Sequence, residues 1–124
     1  MAKRNWIDRA LIVCPFYIGL CTSEKEFRSI CKDLKVAEPP EFLSRHADAM
    51  VHFFERKSKL AAVVCIRRRK DRTRPQMDAM LVHEAVHVWQ QTVKELKERD
   101  PSDEFEAYSI QTISQRLIEA YWSE

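Results

Sequence analysis

Three observations predict a single α+β domain over residues 1–124. Apolar residues recur at helical spacing in several segments, two short apolar segments between them read as strands, and the 124 residues include one glycine, Gly19. Average usage would place about eight or nine glycines in such a chain. Glycine supplies left-handed turns and phosphate-cradling loops. A P-loop or a dinucleotide fingerprint is therefore excluded, and a many-stranded sandwich or barrel is disfavoured. The length suits one modest core. Hydrophobic residues at 45% and charged residues at 32% are too apolar for a disordered tail and too charged for a membrane protein.

Lys3 and Arg4 precede an apolar run from Ala10 to Cys21. Asp8 and Arg9 interrupt its approach, no small-x-small cleavage site follows, and Leu20 rather than a small residue precedes Cys21. The run is also too short to span a bilayer. It reads as a buried strand bent at Pro15. Ser23 and Glu26 then form a capping box ahead of Phe27, Ile30, Cys31 and Leu34, whose spacing predicts a helix over 23–34. Pro39 and Pro40 force an extended connector. Ala47, Ala49, Val51 and Phe53 alternate along a strand over 47–54, and the run from Leu60 to Ile66 predicts a second, buried strand. The charged segment Glu55 to Lys59 joins the two as an antiparallel hairpin whose turn type stays open. Thr73 and Pro75 open a long helix running toward Arg99. Asp100-Pro101 restarts a last helix that reaches about Trp122 and carries Ile110, Ile113, Leu117 and Tyr121 as one stripe.

Twenty-one Lys and Arg against nineteen Asp and Glu give a net charge of +2, too little for a global field that attracts nucleic acid or membrane. Arg67, Arg68, Arg69, Lys70, Arg72 and Arg74 crowd the segment 67–74 between hairpin and long helix. Such a run reads as a solvated loop, and a nucleic-acid role would rest on it alone. Cys14, Cys21, Cys31 and Cys65 form no CxxC pair; they read as reduced, mostly buried thiols of a cytoplasmic protein.

The chemistry concentrates in Leu81-Val82-His83-Glu84-Ala85-Val86-His87-Val88-Trp89-Gln90. Histidines four apart stand one turn above each other on a helix face, so both imidazoles can reach one Zn2+ ion. Glu84 projects beside that ion and can take a proton from a metal-activated water attacking a carbonyl. Four histidines give this motif by chance in roughly one such chain in a hundred. A catalytic zinc wants a third protein ligand. No third histidine follows at short spacing, but the last helix offers Glu104 and Glu106, and helices joined by a short loop pack antiparallel. Glu106 lies on the line of Ile110, Ile113 and Leu117, where a buried carboxylate needs a partner. Glu104 shares the more polar line of Tyr108, Gln111 and Gln115. Tyr108 is a candidate oxyanion donor, or an aromatic core residue. His46 and His52 stand too far apart along a strand for one metal. Tyr17, Trp6, Trp89 and Trp122 read as packing residues.

His83 to Gln91 followed by Glu104 to Gln111 resembles the gluzincin branch of zincin metallopeptidases, and looks like small metallopeptidases encoded by phages and prophages. In gluzincins a second helix carries a Glu ligand as Glu-x-x-Ala or Glu-x-x-Ser followed by Asp or Asn; Glu104-Phe105-Glu106-Ala107-Tyr108 is similar, with Tyr108 in place of the Asp or Asn. The resemblance covers roughly the last 50 residues and is specific for the metal motif. It implies a minimal zincin-like domain: a small antiparallel sheet packed on the metal helix and a ligand-bearing C-terminal helix, with Glu104 as third ligand. It also implies zinc-dependent cleavage of a peptide or protein substrate in the cytoplasm, that of the host for a phage-encoded chain. An edge strand, from Leu60 or from Ala47, would bind the extended peptide. The rival expectation is a non-catalytic, metal-stabilised phage accessory or structural protein, because so short a chain has little left to wall a cleft. A protein partner would then complete it.

Overall fold

A computed structural model describes residues 6–7, 15–97 and 99–123. Its elements are β1 (Trp6–Ile7), β2 (Phe16–Cys21), α1 (Glu24–Asp33), β3 (Ala49–Arg56), β4 (Lys59–Ile66), α2 (Arg74–Leu96) and α3 (Asp103–Trp122). They form an α+β domain around one four-stranded sheet in the order β1-β2-β4-β3. The sheet is mixed rather than antiparallel as expected. β3 and β4 make the anticipated hairpin, but β2 joins β4 in parallel, from Phe16 opposite Leu60 to Cys21 opposite Cys65. The reason is burial on both faces: β2 and β4 are almost continuously apolar and occupy the sheet interior, as parallel neighbours do.

Side-chain alternation assigns the two faces. Phe16, Ile18 and Leu20 join Ala62, Val64 and Ile66 against Leu81, Ala85, Val88 and Trp89 of α2 and Ile113 and Leu117 of α3. On the other face Cys21, Val63 and Cys65 meet Phe27, Ile30 and Cys31 of α1. Gly19 belongs to that second face. A Cβ there would stand 3.0 Å from Ile30 Cδ1 and 3.2 Å from the Trp6 ring. The single glycine is thus where α1 and β1 close onto β2, and its φ is not left-handed.

Left-handed positions are filled by other residues: Lys35, Lys57, Ser58 and Lys97 all have positive φ. Lys97 caps α2, where glycine is the common choice. Lys57 (φ 49°) and Ser58 (φ 63°) are the two central residues of the β3–β4 hairpin, which defines a type I′ turn. Since L-residues pay about 1–2 kcal/mol in this region, Ser58→Gly should stabilise the chain by about 0.5–1 kcal/mol, after allowing for the added freedom of the unfolded state. Urea denaturation reads this as a raised midpoint at unchanged slope.

Helix boundaries follow their caps. Ser23 accepts from Glu26 N on α1, and Thr73 and Gln76 form a capping box on α2. α2 ends at Leu96 rather than toward Arg99. α3 starts at Asp103, with Ser102 accepting from Phe105 N at 3.1 Å, later than Asp100-Pro101 suggested. Cys21, Cys31 and Cys65 are free and buried. Burial first, then the neighbouring Cys21, pushes the Cys31 thiol up to about 11. Cys14 lies outside the described residues. Among those residues no helix is long and apolar enough to cross a membrane.

Candidate metal centre

α2 lies across the sheet with its buried side on the core and presents His83 and His87 from the opposite edge, both exposed. Their Nε2 atoms are 3.2 Å apart. Two ligands at about 2.0–2.1 Å from a tetrahedral zinc stand roughly 3.3 Å apart, so the pair fits two corners of such a site. His87 Nδ1 lies 3.2 Å from Gln90 Oε1. An amide oxygen only accepts, so an Nδ1–H of His87 would donate to Gln90 and leave Nε2 facing His83. Gln90 therefore orients the second histidine through the ring nitrogen that faces away from the metal position. Its helical spacing from His87, three residues, was the signal available in the sequence.

Glu84 occupies the adjoining position and is 5% exposed. Burial raises its pKa above the ordinary carboxyl value, against the lowering influence of His83 and His87. Such a carboxyl is poised to hold and return a proton. The cleft beside it, about 380 Å3, runs between α2 and β3 and is lined by Ala49, Val51, Phe53, His87, Gln90 and Lys94 among others. β3 is an outer strand of the sheet while β4 is interior, so the strand beginning near Ala47, not that from Leu60, flanks the histidines. A larger concavity of about 850 Å3 lies elsewhere, against α1 and the Pro39 to Leu43 connector.

The carboxylates proposed as third ligand stand apart from the pair. Glu104 is exposed on the first turn of α3. Glu106, expected on the core face, is exposed as well and accepts a hydrogen bond from Trp89 Nε1 at 3.0 Å. The partner that its place on the helix required is an indole N–H. Among the described residues no group of three or more His, Cys, Asp or Glu is arranged to hold a metal ion. Tyr108 is 66% exposed and lines neither the cleft nor the core. Of the packing aromatics, Trp89 is buried, whereas Trp122 is exposed, donates to Asp78 at 2.7 Å and lies under Arg74; Tyr17 is 39% exposed. His46 is exposed, and His52 packs against Phe27 with Nε2 3.0 Å from Phe42 O.

The basic segment is more than a solvated loop. Arg72 and Arg69 reach Asp48 at 2.6 and 3.2 Å, Arg67 stands 3.9 Å from it, and Arg69 also pairs with Asp71. Arg68 and Arg74 lie over the rings of Tyr121 and Trp122. These contacts tie the entrance of β3 and the end of α3 to the start of α2. Asp48 was not singled out in the sequence, because a lone acid before a strand carries no spacing signal. Compared with protein-family models, curated proteins and solved structures, the chain matches none.

Proposed function

We propose that this protein is a zinc-dependent metallopeptidase of the gluzincin type. The observation that carries the reading is the convergence of His83 and His87 Nε2 at 3.2 Å beside the buried Glu84. His83 and His87 would hold the metal, with Glu104 or Glu106 of α3 as the third ligand. A bound zinc ion supplies Lewis-acid activation of water and of the scissile carbonyl. The outer edge of β3 offers unpaired backbone groups to an extended peptide and holds it along the cleft. Glu84 takes a proton from the attacking water as its oxygen bonds to the carbonyl carbon. When the C–N bond breaks, Glu84 returns that proton to the leaving amine.

A second reading is favoured by one observation: among the described residues the cleft is walled by α2 and β3 only. In that reading the protein is a non-catalytic accessory or structural protein stabilised by its metal, or a partner supplies the missing wall. Metal analysis is the first test. Zinc-supplemented, dialysed protein should hold about one zinc per chain, and His83→Ala should lose it, with affinity falling at least tenfold to a hundredfold. Protein that retains no zinc would overturn both readings.

A further inference from the structure

The cleft beside the histidines carries a charge pattern that hydrolysis itself does not require. The 380 Å3 concavity and a neighbouring one of about 340 Å3 share Ala49, His83 and Glu84, so the two make one trench along β3. One end reaches Lys94, which has no carboxylate within ion-pairing distance among the described residues. The other end reaches Asp48 and Met80. There Arg72 contacts Met80 Sδ at 3.3 Å and Asp48 at 2.6 Å. Arg67 and Arg69 share the same Asp48, and even with Asp71 included three guanidinium groups face two carboxylates. Between the ends the one acidic wall residue is Glu84, which is buried; Glu55, further along β3, is not in the lining. The arginines are not in the lining, so the unpaired positive charge that the trench itself presents is Lys94.

Helical rise converts this into a spacing. Lys94 follows His87 by seven residues, about 10 Å along the axis, or roughly three residues of extended peptide. We infer that the trench selects a peptide with an acidic side chain about three residues from the bond beside the histidines, where Lys94 pairs its carboxylate. The inference takes from the peptidase reading only that the occupant is an extended peptide.

The test measures binding without turnover. Two short fluorescent peptides, one with Glu at that position and one with Gln, are titrated by anisotropy against full-length Glu84→Gln protein loaded with zinc. The acidic peptide should bind about fivefold tighter at low salt, as an exposed pair permits, and the difference should shrink at high salt. Adding Lys94→Glu should erase or reverse the preference while leaving the affinity for the neutral peptide and the circular dichroism spectrum unchanged. Equal affinities, binding of neither peptide, a preference indifferent to Lys94→Glu, or a trench closed by β3 pairing in a dimer would each overturn the inference. Lys94-dependent acidic binding with no cleavage by the wild type would keep the inference and remove the peptidase reading. Cleavage of both peptides with equal affinity would do the reverse.

Discussion

Glu84→Gln is expected to keep zinc at about one per chain while peptide cleavage falls by about 10²–10⁴-fold, the usual contribution of a positioned general acid–base. The amide is isosteric and can still hydrogen-bond to water, but it cannot carry the proton from water to amine. Zinc content by mass spectrometry and a peptide-cleavage assay on the same preparation separate the two effects. Equal cleavage by the two proteins would overturn the assignment of Glu84 as base. The same substitution has a stability signature in metal-free protein. Burial raises the folded-state pKa of Glu84, so between the ordinary carboxyl value and the raised one the folded chain binds more protons than the unfolded chain. Stability from this group is therefore complete below the unfolded pKa and is lost as pH rises through the folded pKa. Glu84→Gln removes that loss. Its unfolding midpoint should exceed that of the wild type near neutral pH, and the two should converge in acid.

Gly19→Val is expected to destabilise the fold by about 1–3 kcal/mol, the range for overpacking a filled core. A Cβ already falls 3.0 Å from Ile30 Cδ1 and 3.2 Å from Trp6, and valine adds two methyl groups to the same space. Gly19→Ala should cost less, because a shift of a few tenths of an ångström by Ile30 relieves it. Urea titrations of the two variants rank them. Because φ at Gly19 is not left-handed, Gly19→Ala should cost less in an Ile30→Val background, where the 3.0 Å contact is gone. A double-mutant cycle reads this coupling directly. No coupling would mean that backbone freedom, not close approach, keeps glycine here.

What could be read from the sequence was local. The N-cap at Ser23, the capping box at Thr73, the alternation along Ala49 to Phe53 and the apolar run of Leu60 to Ile66 each name their element from neighbours a few residues away. The histidine pair is legible for the same reason, since one helical turn fixes both side chains and their 3.2 Å approach. What escaped was set by contacts distant in the chain. Asp48 meets Arg72 across 24 residues, and Glu106 meets Trp89 across 17. The parallel seating of β2 on β4 depends on α1 carrying the chain over the sheet.

The single glycine shows the division well. Its rarity excluded phosphate loops from composition alone, because those loops need a backbone that only glycine supplies. Rarity of glycine did not mean rarity of turns: Lys57, Ser58 and Lys97 adopt left-handed backbone themselves. The sequence by itself determined the α+β class, the one-turn spacing of His83 and His87 and the position of Glu84 between them, all consequences of short-range periodicity. Only the tertiary structure decided that Gly19 serves close packing, that β3 is the edge facing the histidines, and that Glu104 and Glu106 stand apart from them. Those outcomes depend on how helices seat on a sheet, and the packing of remote side chains settles that.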